Sequence, residues 1–226
     1  KYVDHRDVAL VDKTGDNLNN QSQIQCNPII IDDILYATSP NIKLIALRAG
    51  TGELLWEFDP ELDFSPHVNR GVTYWESGND KRILFTAGSL LFAIDAITGK
   101  PLVSFGTEGF TSLNAGLGAR AADLFVISTT PGVIYKNLYI IGTRVSENAD
   151  SAPGYIRAFN ARTGAVEWVF HTIPKPGEYG YETWPKDAYG KIGGANAWAG
   201  LSLDIGRGMV YAPTGSASFD FWGGNR

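Results

Sequence analysis

Three side chains in the sequence have the chemistry to bind an anionic, aromatic or metallic ligand. Arg70 lies between Asn69 and Gly71, and its guanidinium offers a rigid fork of donors to a carboxylate. Glu147 follows an apolar run, and a carboxylate at the end of a strand can ligate calcium. Trp198 ends a glycine-rich stretch and presents a planar ring for stacking. Taken singly, each also has an ordinary explanation: an exposed loop arginine, a solvated loop acid and a core tryptophan.

The overall composition is that of a folded, acidic, cysteine-poor protein. The 226 residues are 44% hydrophobic and carry 19 basic against 24 acidic side chains, a net charge of −5. This composition excludes intrinsic disorder, and the lack of a basic excess argues against nucleic acid as a partner. We expect no membrane-spanning helix, since no apolar run approaches about 18 residues, and no signal peptide in polar residues 1–20. The single cysteine, Cys26, excludes an internal disulfide and a cysteine-based zinc site.

An internal repeat indicates which elements must position these side chains. Residues 46–58, 93–105 and 158–170 share the frame Ala-x-x-x-x-Thr-Gly-x-x-x-Trp-x-Phe, with Val103 in place of tryptophan in the second copy. Their Thr-Gly glycines lie 47 and then 65 positions apart, and repeats of this length are typical of propellers, solenoids and arrays. A hairpin at Thr-Gly needs the positive φ that glycine adopts, and the tryptophan can pack between neighbouring blades.

Short runs of strand-forming residues surround each repeat and are separated by turn residues. We predict strands in groups of four: Ile29–Ile31, Ile34–Thr38, Lys43–Leu47 and Glu53–Phe58; Val72–Trp75, Arg82–Ala87, Leu90–Asp95 and Leu102–Phe105; Val133–Tyr135, Leu138–Thr143, Tyr155–Asn160 and Val166–His171. This grouping, without a sustained helical pattern, predicts an all-β propeller of four-stranded antiparallel blades. The predicted blades span residues 24–60, 68–106 and 129–172, with a half blade at 198–226, in one partial propeller domain of residues 1–226.

Several motifs resemble those of the pyrroloquinoline quinone (PQQ) dehydrogenases, whose β-propellers have eight blades. The repeat resembles that family's tryptophan-docking motif, which non-enzymatic propellers of the outer-membrane assembly machinery also carry. The more specific likenesses are Gln25–Pro28, Val68–Trp75, Gly142–Asn148, Asn196–Trp198, Tyr211–Gly215 and Asp220–Arg226. The last segment is most like the membrane-type glucose dehydrogenases and related sugar or alcohol quinoproteins. On this resemblance the chain holds about three and a half of eight blades.

The resemblance implies roles for individual residues. Five residues would surround PQQ: Arg70, Trp198, Gln25, Thr130 and Arg144. Three would hold a calcium ion (Ca2+): Glu147, Asn148 and Ser216. Ser216 departs from the family pattern, which has asparagine after Thr-Gly, so we expect a weaker or differently liganded metal site. The family's catalytic base is an aspartate of a later blade, and no residue of this chain is assigned that role.

The resemblance also implies a function. It predicts an oxidoreductase that transfers hydride from a sugar or alcohol to PQQ, with calcium as the Lewis acid. It further implies a periplasmic location, an electron acceptor such as ubiquinone or cytochrome c, and a propeller completed by its remaining half or by a second copy. Two alternatives stay open: a non-catalytic propeller that binds partner proteins, and a half-propeller that closes by pairing two copies. PQQ binding tests the first alternative, and the mass in solution tests the second.

Overall fold

The structure, a computed structural model, describes residues 24–62, 68–220 and 223–224. Strands of the first sheet are β1 Ile29–Ile31, β2 Ile34–Thr38, β3 Leu44–Arg48 and β4 Leu54–Phe58. Strands of the second sheet are β5 Thr73–Ser77, β6 Asp80–Ala87, β7 Leu90–Asp95 and β8 Phe110–Ser112. In both sheets neighbouring strands are antiparallel and follow one another in chain order. This is the meander expected of a propeller blade.

The third sheet is interrupted by a two-stranded ribbon. In chain order its strands and those of the ribbon are β9 Val126–Ile127, β10 Val133–Tyr135, β11 Leu138–Ile141, β12 Arg144–Val145, β13 Ile156–Asn160 and β14 Val166–Phe170. The four-stranded sheet has the order β10-β11-β13-β14, whereas β9 pairs with β12 to form the ribbon. A further two-stranded sheet consists of β15 Ser202–Asp204 and β16 Met209–Tyr211. The predicted all-β class with four-stranded antiparallel sheets is confirmed.

Helices are minor in the described residues. They comprise α1 Ala188–Lys191 and two short 3-10 turns, Ala119–Ala121 and Tyr181–Thr183. None of the helices in the described ranges has the length and apolar character needed to cross a membrane. The parts of the predicted domain at residues 1–23, 63–67, 221–222 and 225–226 lie outside the described residues.

The fourth strand of the second sheet is not where the sequence predicted it. Leu102–Phe105 leads into a turn, in which the Phe105 N–H donates to the Leu102 carbonyl at 2.8 Å. The strand that pairs with β7 is β8, with Phe110 opposite Phe92. Val103, which replaces the tryptophan of the repeat, is 77% exposed, whereas Phe105 is buried and its ring lies against Gly164 of the third sheet. The second sheet therefore extends to Ser112, past the predicted limit at residue 106.

Tryptophan docking joins the first sheet to the second. The indole Nε1–H of Trp56, in β4, donates to the carbonyl of Ala96 at 3.1 Å. Its ring lies against Gly99, where an added Cβ would stand 2.6 Å from Cδ2 of the indole. Gly99 also has a φ of +71°, a conformation that glycine adopts without strain. The predicted packing of this tryptophan between sheets is confirmed for Trp56, whereas Trp168 at the equivalent place in β14 is 37% exposed.

A cation–aromatic stack joins the second sheet to the third. The buried indole of Trp75 lies between two guanidinium groups, with Cζ of Arg82 at 5.4 Å and Cζ of Arg162 at 5.2 Å from ring centroids. Arg82 is buried and its Nε donates to Asp80 at 2.7 Å, so its charge is paired. Its Nη1 also donates to the carbonyl of Arg162 at 2.7 Å, in the Thr-Gly turn of the third sheet. This joint therefore combines cation–aromatic stacking on Trp75, the Arg82–Asp80 ion pair within β6, and a hydrogen bond from Arg82 to the third sheet.

Candidate cofactor site

A cavity of about 370 Å³ collects most of the residues that the sequence singled out. Six of them line it: Gln25, Arg70, Arg144, Glu147, Trp198 and Ser216. This volume falls within the range of small-molecule sites, about 300–1,000 Å³. The lining residues come from segments that are far apart in the sequence, so the fold brings them together. Thr129, Asn196 and Asp220 also line the cavity, and the last two belong to segments that resemble those of the family.

Arg70 is held in place through its backbone and its side chain. The buried amide of Asn69 accepts the Gly71 N–H at 2.8 Å and donates to the carbonyl of Thr86 at 3.0 Å, which fixes the turn on both sides of Arg70. The Arg70 N–H donates to the Thr129 carbonyl at 2.7 Å, and Nη1 donates to Thr129 Oγ1 at 2.6 Å. The guanidinium is therefore oriented before any ligand binds, and its other donors can point into the cavity.

Trp198 forms part of the cavity wall next to this cation. Cζ of Arg70 lies 5.9 Å from an indole ring centroid, and the indole is 50% exposed. The hydroxyl of Thr130 donates to the Trp198 carbonyl at 2.8 Å, so Thr130 supports the tryptophan backbone and is not among the cavity-lining residues. Thr129 lines the cavity in place of the predicted Thr130. Thr130 lies in a bend between β9 and β10, where its hydroxyl is engaged by the Trp198 carbonyl.

The ribbon brings Arg144 and Glu147 to the cavity. Arg144 pairs with Ile127 of β9, and Glu147 follows two residues after the end of β12. Close backbone packing fixes this segment against the tryptophan segment, since a Cβ on Gly142 would stand 2.0 Å from the Ala197 carbonyl oxygen. Within the described ranges, the side chains of Arg144 and Glu147 form no hydrogen bond or ion pair. Both charges are therefore available to a ligand.

The oxygen atoms around Glu147 are suited to a hard cation. Glu147, Asp220, the amide of Asn196 and the hydroxyl of Ser216 all line the cavity, and calcium takes carboxylate, amide and hydroxyl oxygens. Across the described ranges, no group of three or more His, Cys, Asp or Glu side chains could hold a metal ion.

Asn148 is placed differently from the other predicted metal ligands. It is not among the cavity-lining residues, and its carbonyl accepts the Ser151 N–H at 3.2 Å. Its backbone N–H donates to Ser146 Oγ at 3.1 Å, within the turn that follows the ribbon. A direct role for Asn148 toward a metal therefore stays a prediction.

The site as a whole suits a flat, polyanionic cofactor. Two guanidiniums can pair with carboxylates, one indole can stack on a ring, and oxygen donors can hold a cation beside it. A family model described as the β-propeller domain of PQQ glucose/ethanol/alcohol dehydrogenases matches residues 6–226. The chain belongs to this family. Its relatives are quinoprotein dehydrogenases, so the predicted family and the propeller fold are confirmed.

Individual relatives show how much of a family member this chain covers. The quinate/shikimate dehydrogenase (quinone) of Acinetobacter baylyi is 28% identical over 95% of this chain and 30% of its own length. The quinoprotein glucose dehydrogenase of Escherichia coli is 30% identical over 96% of this chain and 30% of its own length. Among solved structures, the quinohemoprotein alcohol dehydrogenase ADHIIG of Pseudomonas putida HK5 is similar with a TM-score of 0.69 at 27% identity, covering 88% of this chain and 29% of that one. The chain thus spans about three tenths of the length of these curated relatives.

Proposed function

We propose that this chain forms part of the cofactor site of a PQQ- and calcium-dependent dehydrogenase that oxidises the hydroxyl group of a sugar or an alcohol. The observation that carries the proposal is the convergence of Arg70, Arg144, Glu147 and Trp198 on one cavity. Membership of the PQQ propeller family supports the cofactor, and the quinoprotein glucose and alcohol dehydrogenases among the relatives support the substrate class.

The residues of this chain would bind and orient the cofactor. Arg70, fixed by Thr129, and Arg144 would pair with carboxylate or quinone oxygens and stabilise negative charge there. Trp198 would cover one face of the ring and exclude water from it. Glu147 would ligate calcium, with neutral oxygens completing the shell. When bound, PQQ supplies a two-electron acceptor and calcium a Lewis acid.

The proposal extends to the surroundings of the site. The remaining blades would come from the rest of the propeller or from a second copy of this chain, because relatives are about three times as long. A periplasmic location and transfer of electrons to ubiquinone or cytochrome c are proposed from the resemblance to membrane-type glucose dehydrogenases. The similarity to the quinate/shikimate dehydrogenase (quinone) of Acinetobacter baylyi favours ubiquinone of the two.

The test is cofactor binding by the purified protein at its full natural length. PQQ is titrated in the presence of calcium chloride, with quenching of tryptophan emission and the quinone absorbance as readouts. Arg70→Gln should weaken binding roughly ten- to hundredfold, since a charge-assisted hydrogen bond contributes about 1.5–3 kcal/mol. Arg207→Gln is the matched control, because Arg207 is exposed and pairs with Asp204 at 2.7 Å in the turn between β15 and β16. Absence of PQQ binding by the wild type would refute the proposal and favour a scaffold.

A further inference from the structure

Arg157 places a guanidinium in the protein core without a carboxylate beside it. It lies in β13 and is 0% exposed. No acidic side chain of the described residues forms an ion pair with it, and burial alone lowers the pKa of its guanidinium to about 9. The group therefore stays largely charged at neutral pH. Burying a charge without a partner costs several kcal/mol, so this arrangement calls for a compensating role.

The guanidinium donates to backbone carbonyls of a segment outside its own sheet. Nη1 donates to the carbonyl oxygens of Leu113 and Ala115, the second at 3.0 Å. Cζ lies 5.6 Å from the ring centroid of Phe159, and the buried Nε has no hydrogen-bond partner among the residues that the structure describes. Leu113 and Ala115 follow β8 and belong to the segment that leads to β9, the first strand of the ribbon. One end of Arg157 therefore holds the start of the connection between β8 and β9.

The other end of the guanidinium reaches the second strand of the ribbon. Nη2 lies 3.5 Å from Oγ1 of Thr143, which is 0% exposed and directly precedes β12. The carbonyl of Thr143 accepts the Asn196 amide N–H at 2.8 Å, and Asn196 lines the cavity. The residue after Thr143 is Arg144, which also lines the cavity. Arg157 thus links the start of the β8–β9 connection to the residue that directly precedes β12.

A second buried arginine shows that joining these sheets does not require an unpaired charge. Arg82 also links the second sheet to the third, through the carbonyls of Ala161 and Arg162, but its charge is paired with Asp80. None of these residues lines the cavity. Arg82 therefore holds backbone carbonyls of a neighbouring segment, as Arg157 does, but at a place away from the candidate site.

We infer that Arg157 is a positioning residue of the cofactor site, which holds the β9–β12 ribbon so that Arg144 and Glu147 face the cavity. Its five N–H donors in a planar fork can hold several carbonyl and hydroxyl oxygens at once, and no neutral side chain matches that number. The inference rests on the proposed function for the identity of the ligand, but the ribbon geometry can be tested without one.

The first measurement is hydrogen exchange on the unliganded full-length protein. Arg157→Met should speed amide exchange about tenfold or more in residues 126–127 and 143–147 and leave the strands β5 to β7 unchanged. Arg82→Met is the matched control and should not speed exchange in the ribbon. Unchanged ribbon exchange in Arg157→Met would overturn the inference. If that variant does not fold, Arg157→Lys takes its place, because it keeps the charge but loses the fork.

The second measurement is PQQ affinity at a temperature where each variant is fully folded. Arg157→Met should weaken binding about tenfold or more, with Arg157→Lys between it and the wild type, because small displacements of binding groups are costly. Arg82→Met should bind PQQ like the wild type, even if its unfolding midpoint falls as far as that of Arg157→Met. Wild-type affinity in Arg157→Met would overturn the inference. Failure of the wild type to bind PQQ would refute the proposed function instead, and the exchange experiment would still decide on the ribbon.

Discussion

A pair of glycine substitutions measures the energy of tryptophan docking directly. Gly52 and Gly99 occupy the same position of the Thr-Gly repeat and have nearly the same backbone conformation, with φ of +72° and +71°. Their surroundings differ. A Cβ on Gly52 would meet nothing within 4 Å, whereas a Cβ on Gly99 would lie 2.6–2.8 Å from Cδ2, Cε3 and Cγ of Trp56. Replacing each glycine by alanine therefore adds the same strain to both sites but a steric contact to only one.

The expected costs follow from these two contributions. A left-handed conformation costs an alanine about 1–2 kcal/mol, which both variants share. Forcing a methyl group into a packed contact adds about 1–3 kcal/mol, which falls on Gly99→Ala alone. We therefore expect Gly52→Ala to lower the free energy of unfolding by about 1–2 kcal/mol and Gly99→Ala by about 2–5 kcal/mol. The difference between the two is the part that belongs to the docked indole.

Urea unfolding followed by circular dichroism gives the loss in unfolding free energy for Gly52→Ala and for Gly99→Ala. In a Trp56→Leu background the contact is relieved, so the two alanine substitutions should then cost about the same. Equal costs in the wild-type background would refute the idea that the Trp56 ring is locked against Gly99. The slope of the unfolding free energy against urea concentration should be the same in all variants. A different slope would indicate a change in the unfolded state, and its effect must be separated from the cost of the substitution.

Three further predictions concern charges and buried polar groups. Glu147→Gln should weaken calcium binding about tenfold or more in calorimetry, whereas Glu167→Gln on the outer strand β14 should not. Burial raises the pKa of Tyr139 to about 12, so the wild type should lose up to about 1.4 kcal/mol per pH unit as pH rises from about 10 to about 12. Tyr139→Phe should lose less stability than the wild type between pH 8 and pH 11, while the other tyrosines with raised pKa values, Tyr36 among them, contribute equally to both proteins. The Lys175 backbone N–H lowers the pKa of Glu178, so its stabilisation is present above the ordinary glutamate range and is lost on acidification. Glu178→Gln should remove this acid dependence from amide exchange in residues 172–180.

Local patterns were sufficient to predict most strands. Ile29–Ile31, Ile34–Thr38 and Val133–Tyr135 form with the predicted limits. Each is an apolar run bounded by turn-forming residues, and such limits depend on neighbours in the sequence. The Thr-Gly turns were predictable for the same reason, because a requirement for positive φ is a local property of the backbone.

Features that depend on distant contacts were not predictable to the same degree. The strand at Phe110–Ser112 is defined by pairing with β7 across a turn, and the apolar run at Leu102–Phe105 looked equally suitable. That Thr129 and not Thr130 lines the cavity depends on long-range contacts, since Thr129 Oγ1 accepts from Arg70 and the Thr130 hydroxyl donates to the Trp198 carbonyl. Asn196 and Asp220 lie in segments that resemble those of the family, but only the folding of these segments shows that both side chains reach the cavity.

Arg157 was missed for a related reason. Within the sequence it is an arginine on a strand, which normally lies at the surface. Its partners, the carbonyls of Leu113 and Ala115, are backbone atoms that leave no signature in side-chain types. A comparison of the three repeat copies offers one signal, since the residues equivalent to Arg157, directly before the first and second copies, are the apolar Ile45 and Phe92.

The stacked Trp75 provides an optical marker inside the molecule. Its indole is 3% exposed between two guanidiniums, whereas that of Trp198 is 50% exposed at the cavity. A soluble quencher such as acrylamide reaches exposed rings and spares buried ones. Emission that remains in the presence of the quencher therefore comes from buried rings such as Trp75, at the joint between the second and third sheets. The quenched emission includes that of Trp198, at the cavity. Loosening of the joint and filling of the cavity can be followed in one sample without an added dye.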